Sequence, residues 1–115
     1  MITIYHNPRC SKSRNALDAI RKSQKKYEVI EYLTDLFTEE SLSRLIDSLN
    51  IKPDELVRKT ESIYIENYKG KSYTDAEWIK ILVENPKLIQ RPIVETSSRA
   101  FVARDEQTIE TILKD

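Results

Sequence analysis

Cys10 is the only cysteine in this chain of 115 residues, and cationic side chains crowd it on both sides. His6 and Arg9 precede it, and Lys12 and Arg14 follow. The apolar run Ile2-Thr3-Ile4-Tyr5 leads into the cluster, and Leu17 and Ile20 come after it at helical spacing. Cys10 therefore falls where a turn becomes a helix. A helix start offers unpaired backbone N–H groups and about half a positive charge. A free cysteine titrates near ~8.5, and surroundings of this kind bring thiols to about 3.5–7.5. Between Asn7 and Asn15 there is no large aliphatic or aromatic side chain to bury the sulfur as an inert core group. The pattern is that of a sulfur nucleophile that also attracts anions.

Spacing narrows the chemistry. A thiolate metal centre needs further ligands, and Cys10 and His6 are the only cysteine and histidine. A C-x5-R anion loop needs arginine at position 16, where Ala16 stands, and a C-x-x-C dithiol needs cysteine at position 13, where Ser13 stands. What remains is C-x-x-S with Arg14 directly after it. One thiol can make one sulfur bond here, and a thiol from outside must break it. No thiolate metal site is expected.

The remaining composition sets limits. Nineteen Lys and Arg balance nineteen Asp and Glu, so no global field points to a nucleic-acid or membrane partner. No run approaches the ~18 apolar residues of a membrane span. Met1 leads straight into a strand rather than into a signal peptide. A single cysteine cannot form an internal disulfide, which fits a reducing compartment, and a cytoplasmic location is expected. The length suits a single domain over 1–115.

The elements that must position Cys10 follow from periodicity. Ile2 to Tyr5 reads as a strand, and the helix after it, capped by Ser11 or Ser13, runs to about Lys22 with Ala16, Leu17, Ala19 and Ile20 inward. Tyr27 to Tyr32 reads as a second strand, parallel to the first. Thr38 starts the clearest helix, with Leu42, Leu45, Ile46 and Leu49 on one stripe, ending near Asn50. Pro53 opens a short helix. Ser62 to Ser72 reads as irregular. Thr74 to Glu77 is a capping box for a helix that Pro86 stops. Arg91–Thr96 and Arg99–Ala103 read as a hairpin, and Asp105 caps a last helix. The order predicts an α/β chain with a four-stranded mixed sheet and flanking helices.

The opening Ile-Thr-Ile-Tyr-His-Asn-Pro-Arg-Cys-Ser-Lys-Ser-Arg-Asn-Ala-Leu resembles the glutaredoxin-coupled arsenate reductase family. The likeness continues through Leu56-Val57-Arg58-Lys59 and Leu88-Ile89-Gln90-Arg91-Pro92-Ile93-Val94, so it spans nearly the whole chain. Its specific part is Tyr5-His6-Asn7-Pro8 leading to Cys10, paired with Arg91-Pro92-Ile93-Val94. The resemblance implies a thioredoxin-like fold with an inserted helical region and a cis bond before Pro92. It implies Cys10 as the nucleophile on arsenic, with His6 influencing its ionisation. Arg58, Arg91 and Arg104 fall on the family's oxyanion clamp, and Ser13 and Arg14 beside the thiol complete the substrate-binding set. Arginine suits that role, being always charged and offering a planar fork to an oxyanion.

On this resemblance arsenate is reduced to arsenite, with glutathione and glutaredoxin as external reductants and no metal, flavin or nucleotide. Ser11 and Lys12 stand where arsenate reductases of the family commonly carry Gly-Thr. Two other readings stay open. One is a general glutathione-dependent thiol–disulfide oxidoreductase, which needs Cys10 but no arginine clamp. The other is a non-enzymatic RNA polymerase-binding regulator of the same superfamily, whose redox-sensing members use C-x-x-C.

Overall fold

The computed structural model describes residues 1–97, 99–103 and 105–114. Five helices and four strands occur among them, with the strands in one sheet of order β2-β1-β3-β4. Strand β1 is Ile2–Tyr5, β2 is Tyr27–Ile30, β3 is Ile93–Glu95 and β4 is Ala100–Val102. Strand β1 pairs in parallel with β2 and antiparallel with β3, which pairs antiparallel with β4. The expected mixed four-stranded sheet is thus present, with the first two strands parallel.

Residue contacts divide the chain into two compact units, Met1–Asp35 with Arg91–Asp115, and Leu36–Gln90. The first holds the sheet with α1, Ser11–Lys22, and α5, Glu106–Lys114. Because side chains alternate along a strand, Ile2 and Ile4 of β1 point to one face. They are buried there with Val94 of β3, Ala16 and Ile20 of α1, Ala103, and Ile109 and Ile112 of α5. Helices α1 and α5 pack together. This core fixes the end of β1 and the start of α1, and so the turn between them.

The second unit, inserted between β2 and β3, holds α2, Glu39–Leu49, α3, Ser62–Asn67, and α4, Asp75–Glu84. Thr38 and Ser41 form a reciprocal capping box for α2, and Thr74 and Glu77 one for α4. Leu42, Leu45 and Ile46 are buried on α2, as are Trp78 and Leu82 on α4, and the two helices pack together. Short 3-10 turns at Pro53–Leu56 and Pro86–Leu88 pack on α4. No described helix is long and apolar enough to cross a membrane.

Three expectations need correction. The second strand stops at Ile30 rather than Tyr32, because the Glu31 carbonyl accepts from the N–H groups of Thr34 and Asp35 and turns the chain. Ser62–Asn67 is helical, not irregular; it buries no residue and has no side-chain cap, so it lacks both signals by which a helix is read. The N-cap of α1 is Cys10 itself, not Ser11 or Ser13.

Candidate functional site

Strand β1 is extended past Tyr5 by the His6 N–H, which donates to Ile30 at 2.8 Å, and the chain then turns sharply into α1. In the turn the Cys10 N–H donates to the Asn7 carbonyl at 3.0 Å, and the Arg9 N–H donates to Asn7 Oδ1 at 3.0 Å. The Asn7 N–H donates to Ser13 Oγ at 3.0 Å, so the turn is tied to the first turn of the helix it enters. Arg14 closes it from outside, its Nη1 donating to the Pro8 carbonyl at 2.9 Å.

Cys10 adopts extended backbone angles, φ −99° and ψ 123°, as an N-cap residue does. A cap side chain faces the N–H groups of the second and third helical residues, here Lys12 and Ser13. Burial alone would push the Cys10 thiol up. The Ser13 and Lys12 amides, then the hydrogen bond and charge of the Arg91 guanidinium, outweigh it, and the net shift is downward. The sulfur makes no cap hydrogen bond of full geometry, and it is the approach of these two amides that favours the thiolate. Lys12 contributes through its backbone, not through the ammonium group that stands out in the sequence.

Arg91 precedes a cis bond to Pro92, as the resemblance implied. The Ala103 N–H donates to the Pro92 carbonyl at 2.8 Å, anchoring this corner beside β4. The Arg91 Nε is buried with no protein hydrogen-bond partner. The guanidinium is engaged by the thiol, but its Nε–H has no acceptor, and an oxyanion held against the sulfur would supply one.

His6 and Ser13 are buried, with His6 Nδ1 and Ser13 Oγ 2.6 Å apart. Since Ser13 Oγ already accepts from Asn7, giving its own proton to Nδ1 satisfies both groups and keeps the imidazole neutral. Burial holds the imidazole below its ordinary pKa; Glu31 opposes this and Arg14 reinforces it. His6 is thus tied to Ser13, whose amide acts on the sulfur, and is not itself among the groups that shift the thiol. The Ser13 side chain is fully buried, its hydroxyl engaged with His6 and with the Asn7 N–H, while its amide acts on the thiol. The Arg14 guanidinium, a candidate for substrate binding, holds the turn through Pro8.

Arg58 belongs to the second unit. Its N–H donates to the Leu88 carbonyl at 2.6 Å beside a bridge between Val57 and Ile89, and its Nη1 pairs with Glu61 at 3.0 Å. Arg104 lies outside the described residues. Among those described, no group of three or more His, Cys, Asp and Glu side chains is arranged to hold a metal ion. The residue whose importance spacing did not reveal is Asn7; its one signal is that Asn before Pro is a turn initiator.

The family model for ArsC matches residues 5–112. Over 115 positions the chain is 37% identical to the arsenate reductase of Acidiphilium multivorum, covering 99% of this chain and 82% of that one. It is likewise 37% identical, over 96% of each chain, to YfgD of Escherichia coli, an uncharacterized protein. The structure of arsenate reductase from Vibrio cholerae is similar at a TM-score of 0.86 and 35% identity, over 98% of this chain and 95% of that one. The α/β architecture matches this thioredoxin-like fold, as expected.

Proposed function

From the premise that this chain belongs to the ArsC family, we propose that it reduces arsenate to arsenite through a covalent adduct on Cys10. The observation that carries the reading is the meeting of Arg91 with the Cys10 thiol, at a helix start whose amides favour the thiolate. Arg91 supplies a charged donor beside the nucleophile, with Nε lacking a protein acceptor. Such a group offsets the repulsion between thiolate and oxyanion and fixes the line of attack.

In this mechanism the Cys10 thiolate attacks arsenic, and an arsenate oxygen leaves as water after protonation. A glutathione thiolate then attacks the Cys10 sulfur of the adduct. The sulfur–sulfur bond forms as the sulfur–arsenic bond breaks, and its electron pair stays on arsenic, which leaves as arsenite. Glutaredoxin resolves the mixed disulfide and frees Cys10. Two external thiols supply both electrons, because this chain has no second cysteine. The family resemblance assigns oxyanion binding to Arg58 and Arg104 as well.

Arsenate-dependent consumption of reducing equivalents, with glutathione, glutaredoxin and its reducing system, tests the proposal. Wild type should turn over, Cys10→Ser should not, and Arg91→Ala should fall by about a hundredfold or more, as for loss of an oxyanion donor. Wild-type turnover no faster than that of Cys10→Ser would overturn it. One observation favours a second reading, reduction of glutathione mixed disulfides: the Arg58 guanidinium is already paired with Glu61. Under that reading Arg58→Ala and Arg91→Ala leave disulfide reductase activity largely intact.

A further inference from the structure

The Asn7 side chain has no part in the chemistry above, yet the residue is only 8% exposed and organises the turn before the nucleophile. Its Oδ1 accepts from Arg9, its carbonyl from Cys10, and its N–H donates to Ser13 Oγ, each at 3.0 Å. Pro8 has no N–H, so between Asn7 and the helix the amides available to fix the turn are those of Arg9 and Cys10. Both go to Asn7. The Ser13 hydroxyl that it meets also holds His6, and the Ser13 amide is one of the two that act on the sulfur.

We propose that Asn7 is a positioning residue for the nucleophile: its carboxamide locks the Asn7–Cys10 turn so that the sulfur sits in the cap position over the Lys12 and Ser13 amides, within reach of Arg91. This rests on Cys10 being the nucleophile and not on the identity of the oxyanion. The groups acting on the sulfur are the Ser13 and Lys12 amides and Arg91, and Glu31 and Arg14 act on the neighbouring His6. Replacing Asn7 leaves all of these charges present, so a changed thiol titration reports geometry.

The test is the rate of Cys10 alkylation by iodoacetamide across about pH 5 to 9, together with hydrogen exchange at the Arg9 amide. It compares folded wild type, Asn7→Ala and Asn7→Ser. Asn7→Ala should move the alkylation midpoint upward, lower the rate below that midpoint by about three- to tenfold, and speed exchange at Arg9, as for loss of one structural hydrogen bond. Asn7→Ser, whose hydroxyl can accept from the N–H two residues on, should recover most of both effects. A wild-type alkylation profile in Asn7→Ala would overturn the proposal. So would an Asn7→Ser protein that regains Arg9 protection while its midpoint stays raised. Should Asn7→Ala not fold, Asn7→Gln, too long to close the same ring, carries the same expectation. The assay contains no arsenate, so the role of Asn7 is decided separately from whether the chain reduces arsenate.

Discussion

At Cys10 burial opposes a charged sulfur, and three separate groups reverse it: two amides that no side-chain substitution removes, and one guanidinium that a substitution does. Arg91→Ala should therefore raise the midpoint of Cys10 alkylation while the amide contribution persists. Arg91→Lys should restore part of the shift, since a lysine keeps the charge without the planar fork. An unchanged midpoint in Arg91→Ala would remove Arg91 from the account of the thiol. His6 gives a prediction of the opposite kind. Its pKa is depressed in the folded chain, so near ~6.5 the unfolded chain binds more protons and stability rises with pH. The contribution is complete above the unfolded value and is lost as pH falls from there through the folded one. Urea midpoints measured between about pH 7.5 and pH 5 should fall with pH in wild type. His6→Asn should fall less steeply, and equal slopes would show that the imbalance lies elsewhere.

Which elements form is decided by how much of their stabilisation is local. Helix α2 carries its own start signal, with the Thr38 hydroxyl accepting from the Ser41 N–H at 3.0 Å and the Ser41 hydroxyl from the Thr38 N–H at 2.9 Å. Thr38→Ala should cost about 1 kcal/mol in urea unfolding and leave the fold unchanged, whereas Thr38→Ser should be close to neutral. The same local completeness made α2 and α4 legible in the sequence down to their caps. Helix α3 was not, because with no buried residue it offers no stripe to read. Nor was the turn at Glu31, where one carbonyl holding two N–H groups shortens β2. The site shows the same division. The thiol and its helix start could be read from adjacent residues, but that the sulfur itself occupies the cap position depends on how Asn7 folds the turn. No local pattern links Arg91 to Cys10; they meet because β3 pairs with β1 in the sheet, and among sequence signals only the family resemblance joins them.

At the scale of the molecule a net charge of zero coexists with a run of cationic residues around Cys10 in the sequence, balanced by carboxylates elsewhere. Local field and global charge therefore make different predictions for an anionic reactant. The Cys10 thiolate should attack oxidised glutathione, break its disulfide and release one glutathione thiolate, leaving a single mixed disulfide per chain, visible as one glutathione adduct by mass and absent in Cys10→Ser. This chain has no second cysteine to expel the adduct as an internal disulfide, so the adduct should persist until glutaredoxin and glutathione are added. If the site's own cations draw the anion in, the rate should drop as salt rises from about 0.01 M to 0.1 M, over which the screening length shortens from about 30 Å to 10 Å. Alkylation by neutral iodoacetamide should change much less over the same range, which separates attraction of the anion from any effect of salt on the thiolate itself. Equal salt dependence for the two reagents would mean that the cations serve only to ionise the sulfur and do nothing to recruit what it attacks.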